Sequence, residues 1–390
     1  MDADRLDRRT IVKGVGAAGI AGLAGCAGGP DSGGSGGEES DEDSGGSETA
    51  ETETTGEGGG AEGSADVNVG MVYATGGLGD GSFNDQAQTG IQRAAEEFGL
   101  SFDESEPDSV SEFGTFQSQY AQSSDPDYDL VSCIGFLQAD ALSQTAPDYP
   151  DQDFTVVDSV VDADNVRSYT FKEHEGSYLV GQLAGLLTSR SFSAGESSTQ
   201  SDSTNVGFVG GVESALIEKF EAGFTAGAKA ANSDIDVQTT YTGSFSDPSA
   251  GQEAALSMFS SGADVIYHAA GNTGNGVFQA ARDRGRFAIG VDRDQSVTTD
   301  YADVILASMV KRVDTAVYTA AQATVEGSFE GGTATSLGLQ EEGVAAVYGG
   351  KLGAEISSEV KSEIEASRQG IVDGEISVPT DPGQVSDYSR

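Results

Sequence analysis

From Val67 onward, short runs rich in Val, Ile, Phe and Tyr alternate with longer runs of helical period, and after one polar loop the alternation starts again. Val67 to Tyr73 is followed by a helical pattern near Asp85 to Phe98, Leu130 to Ile134 by Ala139 to Ala146, and Phe154 to Val157 leads toward Tyr178 to Leu187. Past the loop Ser191 to Thr204, Val206 to Val209 precedes Leu216 to Ala230, and Val237 to Tyr241 precedes Ala250 to Phe259. Val265 to His268 then precedes Val277 to Arg284, and Phe287 to Val291 closes the series. Strands joined through helices pair in parallel and bury both faces of their sheet, so the pattern predicts an α/β fold with helices on both faces. The restart predicts two such lobes, residues 67–190 and 205–295, with a ligand cleft between them. Residues 296–390 carry a helix expected over Met309 to Val325 and a strand-like Val344 to Tyr348, and are expected to cross between the lobes and contribute to both.

The amino-terminal part obeys different rules. Asp7-Arg8-Arg9-Thr10-Ile11-Val12-Lys13 has the shape of a twin-arginine export signal and feeds an uncharged stretch from Gly14 to Gly25 that stops at Cys26. Five glycines in that stretch argue against a helix made for packing. Leu23-Ala24-Gly25-Cys26 resembles the lipobox of lipoproteins, in which cleavage before the cysteine leaves a thiol to carry lipid. Residues 1–25 are therefore expected to act as a signal peptide, with Cys26 the lipid attachment site that anchors the chain to the outer face of the cell membrane. From Ala27 to Asp66 only Gly, Ser, Thr, Ala, Pro, Asp and Glu occur. With nothing apolar to bury, 26–66 cannot offset its ordering entropy and is expected to be a disordered acidic tether reaching ~35 Å.

Acidic residues number 64 against 20 basic, a net charge of -44. Such a surface repels nucleic acid and anionic lipid and suits a high-salt solvent, which points to a halophilic archaeal habitat. Cys133 is the only cysteine after Cys26, so no internal disulfide is expected. No later apolar run is long enough to span a bilayer.

In doubly wound lobes ligands sit beyond the carboxyl ends of the strands, so the polar residues just after each strand are the candidates. The first strand runs into Gly76-Gly77-Leu78-Gly79-Asp80-Gly81-Ser82-Phe83-Asn84, which delivers a carboxylate, a hydroxyl, a ring and an amide to one helix start. A plain glycine turn with Ser82 as helix cap and Phe83 as its staple is the bland alternative. Gly77, Gly79 and Gly81 lack the interval of the dinucleotide fingerprint, and no Walker A sequence occurs, so nucleoside triphosphate chemistry is unsupported. After Val209 comes Gly210-Gly211, where a ligand could approach the backbone closely. Tyr267-His268 continues into the small-residue loop Ala269 to Gly276, and Phe287 to Val291 presents Asp292, a carboxylate able to accept two hydrogen bonds from vicinal hydroxyls or simply to cap a helix. His268 has only His174 as a histidine partner and no Cys/His cluster exists, so no metal is expected and a satisfied core histidine is the better reading.

Several segments together resemble the basic membrane protein family of substrate-binding lipoproteins, which includes purine nucleoside receptors of ABC importers. They are Asp80 to Asn84, Gly135-Phe136 with Ala139 to Leu142, His174 to Gly181, Val206 to Gly211, Lys219 to Phe224, Gly271 to Phe278, Ile289 to Asp292 with Asp294-Gln295, and Ser308 to Asp314. The resemblance implies a two-lobed type I periplasmic-binding-protein fold that closes on a nucleoside, with no cofactor and no catalysis, serving ABC permease subunits and a cytoplasmic ATPase. It also implies Asp292 as ribose acceptor, Lys311 as its cationic neighbour and Phe83 as a stacking ring. Asp80 and Asn84 become the base-edge partners, Phe208 an opposite ring, and Gly271 part of the site; Asp140 and Asp158 are weaker choices that could merely cap helices. A sugar or furanose would share the diol contact, so another small solute is the alternative ligand. A nucleoside-processing enzyme using His268 and Asp292 is the rival of a different class. It is disfavoured because the turn holds Asp80 and Asp85 without the dense Asp repeat of a metal-dependent hydrolase.

Overall fold

The computed structural model describes residues 66–201 and 203–387; the signal segment, Cys26 and the tether, save Asp66, lie outside the described residues. The chain opens with β1 (Asn68–Val72), α1 (Phe83–Phe98), β2 (Ser101–Ser105), α2 (Phe113–Gln122), β3 (Leu130–Ile134), α3 (Ala139–Asp148), β4 (Asp153–Val157) and β5 (Val166–Phe171). There follow α4 (Glu173–Ser189), a small hairpin of β6 (Ser193–Ala194) and β7 (Ser197–Ser198), then β8 (Asn205–Gly210), α5 (Ala215–Ala231), β9 (Asp236–Tyr241) and α6 (Pro248–Ser260). The chain continues through β10 (Ala263–Ala269), α7 (Gly274–Arg284), β11 (Phe287–Asp292), α8 (Gln295–Thr298) and β12 (Ile305–Lys311). It ends in α9 (Val313–Val325), β13 (Thr333–Leu337), β14 (Val344–Tyr348) and α10 (Ser358–Val372).

Two six-stranded sheets result, in the orders β2-β1-β3-β4-β5-β13 and β9-β8-β10-β11-β12-β14. Every pair in the first sheet is parallel, whereas β14 joins β12 antiparallel at the edge of the second. Central strands such as β3 and β10 are buried along their whole length, as helices covering both faces require. Val72, Val131 and Phe154 pack beneath α2 and α3 of the first lobe, and Val209, Ile266 and Ala288 pack with α6 and α7 of the second. In each sheet the strand order reverses beside the first strand of its lobe, between β1 and β3 and between β8 and β10. Those reversals splay the outgoing loops apart and leave a crevice.

The chain passes between lobes three times, at β5 to α4, at β12 to α9 and at β13 to β14. Two lobes with more than one crossover are thus found, as the restart of the pattern predicts. Several local expectations need correction. Met309 to Lys311 is the end of β12, not the start of a helix, because Ile305 to Lys311 is buried on both sides between β11 and β14. The strands β2 and β5 and the helix α2 add to the elements the pattern predicts; β2 is mostly exposed and carries little apolar signal. The helix α4, expected to close the first lobe, instead packs along α5 on the second sheet.

Candidate functional site

Segments leaving the carboxyl ends of both sheets line one cleft, open at its mouth. The first lobe contributes Ala74 to Gly76 after β1, Phe136 and Leu137 after β3, Asp158 after β4, and Asp80, Phe83 and Asn84 around the start of α1. The second contributes Leu216, Ile217 and Phe220 from α5, Phe245 beyond β9, Ala269 to Gly271 after β10, Asp292 ending β11 and Lys311 ending β12. The segments beyond the strand ends of both lobes therefore face one cleft.

Lys311 is the electrostatic centre. Its Nζ lies 2.7 Å from Asp158 Oδ2, and 3.9 Å from both Asp292 Oδ1 and Glu173 Oε1, with the whole side chain almost fully buried. The ammonium also sits over Phe83 at 4.8 Å, Phe220 at 5.4 Å and Phe171 at 5.5 Å, where ring faces favour a cation. Burial pulls its proton affinity down, but Asp158, Asp292 and Glu173 outweigh that and leave Lys311 above its ordinary value, so it stays charged. Burial pushes the Asp292 carboxyl up, with Lys311 and the Ser82 hydroxyl opposing. At Glu173 burial dominates and raises the carboxyl to about 7, against Lys311 and Lys219; Lys219 Nζ stands 3.6 Å from its other oxygen.

Asp158, just past β4, and Asp292, the last residue of β11, stand at the end of the fourth strand of their sheets' orders, and each adopts a left-handed backbone, with φ of 71° and 65°. Aspartate tolerates that region better than most residues, yet the conformation still costs free energy, and it points both carboxylates at one ammonium. Asp158 Oδ1 is buried without a partner, so the pair is not saturated by Lys311.

The Gly76–Asn84 turn is held by its own polar groups. Asp80 accepts from the backbone N–H groups of Ser82 at 2.8 Å, Asn84 at 2.9 Å and Asp85 at 3.3 Å, so it caps α1; burial pushes it up to about 6 while those donors pull it down. Asn84 Oδ1 accepts from Ala74 N, and its Nδ2 donates to Gly77 O. Asp80 and Asn84 thus line the cleft, as anticipated, but their polar edges already hold the turn. Ser82 makes no capping bond; its hydroxyl donates instead to Asp292 Oδ2 across the cleft, 2.5 Å away.

The structure brings together Asp80, Phe83, Asn84, Gly271, Asp292 and Lys311, and promotes Asp158 from a weaker choice to a direct partner of Lys311. Gly271, at φ 54°, takes a conformation suited to glycine and lets the Phe245 backbone pass close by. Phe208 requires correction: it is fully buried in β8 among Phe224, Tyr241 and Tyr267, on the core side of the sheet. Asp140 is also misplaced, an exposed first-turn residue of α3 outside the cleft. His268 is a core residue, its Nε2 3.0 Å from Gln295 Oε1 and its ring against Gly274; burial lowers it to about 4, so it is neutral. The rings missed are Phe136, Phe220 and Phe245, the first and last facing each other edge to face across the lobes at 6.4 Å. Phe136 lies two residues past the end of β3, so the rule that singled out Asp292 at the end of β11, applied to every strand, finds it.

The family model for the ABC transporter substrate-binding protein PnrA-like matches residues 67–382. A CD4+ T-cell-stimulating antigen of Listeria innocua is 40% identical over 348 residues, covering 82% of this chain and 90% of that protein. The ABC transporter nucleoside-binding protein BmpA of Lactococcus lactis is 34% identical over 336 residues, with 81% and 90% covered. Among solved structures, an ABC transporter system solute-binding protein from Aeropyrum pernix superimposes with a TM-score of 0.71 at 31% identity, covering 82% of this chain and 96% of that one.

Proposed function

The chain belongs to the PnrA-like family of ABC-transporter substrate-binding proteins, and from that premise we propose that its cleft captures a nucleoside and presents it to an import permease driven by a cytoplasmic ATPase. It is an extracytoplasmic solute-binding component, not an enzyme. One juxtaposition carries the nucleoside reading: the Asp158–Lys311–Asp292 cluster lies beside the rings of Phe83, Phe136, Phe220 and Phe245. These rings with Leu137, Leu216 and Val291 give the cleft an apolar lining suited to a base, while the carboxylates can accept hydrogen bonds from vicinal hydroxyls. Asp292 is the ribose acceptor in this reading, and Lys311 holds its charge in place. The nucleoside-binding name of the Lactococcus lactis relative supports the same class. Asp80, Asp158 and Asp292 against the single cation Lys311 give the cleft lining an excess of negative charge, which disfavours a phosphate.

Calorimetry against purine and pyrimidine nucleosides, their 5′-monophosphates and simple sugars, at fixed high salt, tests the reading. A nucleoside is expected to bind with its monophosphate at least about ten-fold weaker, a difference of about 1.4 kcal/mol. Binding of a pentose or hexose with silence toward every nucleoside would transfer the site to sugars. The mass of any small molecule retained through purification gives an independent answer. Lipid anchoring at Cys26, after twin-arginine export into a high-salt exterior, completes the proposal. Cys26→Ser is expected to lose lipid label and membrane association; an unchanged labelled product would exclude the anchor.

A further inference from the structure

We propose that Ser82 is a positioning residue of the cleft: its hydroxyl reaches from the first lobe to hold the Asp292 carboxylate of the second, latching the lobes together and aiming the free Asp292 oxygen at the ligand. Ser82 stands at the start of α1 where a serine would ordinarily cap the helix, yet its side chain makes no cap bond because the Asp80 carboxylate already receives those N–H groups. The fully buried hydroxyl instead donates to Asp292 Oδ2 at 2.5 Å. A carboxylate offers about four lone-pair sites, so Oδ1, on the Lys311 side, is left for a ligand hydroxyl.

The neighbouring residue is gripped as well. Gln295, fully buried in the second lobe, donates its Nε2 to Gly81 O at 3.2 Å, while its Oε1 accepts from Val291 N at 2.8 Å and faces His268 Nε2. The Val291 donor fixes which way the amide points, so the Nε2 contact to Gly81 is forced. Two consecutive residues of one lobe thus meet the end of β11 and the start of α8 in the other. A latch of this kind populates the closed form in advance and raises apparent affinity by the fraction closed.

The affinity part rests on the proposed role of Asp292; the latch itself does not. In the Cys26→Ser chain, Val110→Cys and Val297→Cys place spin labels on exposed sites of the two lobes, 50% and 69% accessible, while Cys133 is buried. Pulsed EPR without ligand is expected to show a short-distance population that Ser82→Ala depletes and Ser82→Thr retains. The melting temperature should stay within about 4 °C of the parent, since the α1 cap is intact. With guanosine and adenosine as probes, Ser82→Ala should weaken binding about ten-fold to a hundred-fold, mainly through faster dissociation, and Ser82→Thr should restore it. Identical ligand-free distance distributions for parent and Ser82→Ala would overturn the latch. An altered distribution with unchanged affinity would overturn the positioning of Asp292. If the parent binds neither probe, the nucleoside reading fails, while the distances still decide the latch.

Discussion

At the scale of single residues, the chemistry of the cleft is set by one cation shared among carboxylates taken out of water. Lys311 has Asp158 in direct contact and Asp292 and Glu173 at 3.9 Å, so neutralising any one member shifts the balance of the others. Asp292→Asn keeps shape and the capacity to accept one hydrogen bond from Ser82, but removes the charge that strengthens contact to a ligand hydroxyl. Nucleoside affinity is expected to fall by about ten-fold to several hundred-fold, on the scale of one or two charge-assisted bonds. The variant should also discriminate less between a ribonucleoside and its 2′,3′-dideoxy analogue. Calorimetry of both proteins with both ligands checks this, and equal binding of the two ligands by the parent would remove the diol role. The sequence pointed to Asp292 because it ends a strand of clear apolar character. It understated Asp158, whose equivalence to Asp292 depends on which strands become fourth in each sheet, a property of pairing and not of local composition.

At the scale of elements, α4 and α5 approach each other backbone to backbone. Gly181 and Gly185 on one helix face Phe224 and Ala228 on the other, and Gly223 and Gly227 face His174 and Tyr178 in return; a methyl group at Gly227 would lie 2.0 Å from Tyr178 O. Two effects compete in Gly227→Ala. Helix propensity favours alanine by about 1 kcal/mol, whereas forcing a methyl into backbone that cannot yield costs about 1–3 kcal/mol or more. The clash should win, and Gly227→Ala is expected to lower the melting temperature. Gly114→Ala in α2, where the added methyl would meet only ordinary contacts at 3.8 Å, should leave it unchanged or raise it. Thermal melts of the pair check the argument, and a stabilised Gly227→Ala would refute the close approach. Gly181 and Gly223 lie in segments that carry the family resemblance, His174 to Gly181 and Lys219 to Phe224, and Gly185 and Gly227 follow about one helical turn later. Sequence alone does not separate a glycine that admits a ligand from one that admits a helix.

At the scale of the whole molecule, charge opposes compactness. A net charge of -44 on one chain repels itself over distances that salt shortens, from a screening length of about 10 Å at 0.1 M to about 3 Å at 1 M. The melting temperature is therefore expected to rise markedly between those salt concentrations. A scan in NaCl checks it; a flat or falling midpoint would mean that the surface carboxylates are neutralised internally. The three passages between lobes bear on the same scale, because strands β12 and β14 and the helix α9 come from the carboxyl-terminal third and tie the lobes together. Rotation about those crossovers is the expected closing motion, since it remakes neither core, and a smaller scattering radius on ligand saturation checks it.

The alternation of apolar strand runs with helical ones, and its restart after Thr204, determined the two-lobe α/β architecture from sequence alone, because burying a parallel sheet on both faces demands that pattern wherever it occurs. The candidacies of Asp292 and of Phe83, in the turn after the first strand, followed from the same logic and the resemblance, whereas Lys311 came from the resemblance alone, because its stretch reads as the start of a helix. The tertiary structure decided what each side chain does there. Phe208 points into a core, Asp80 and Asn84 hold their own turn, α4 crosses to the other lobe, and Phe136 meets Phe245 from the opposite side. Each of those outcomes depends on which residue distant in sequence comes within a few ångströms, and local periodicity carries no information about that partner.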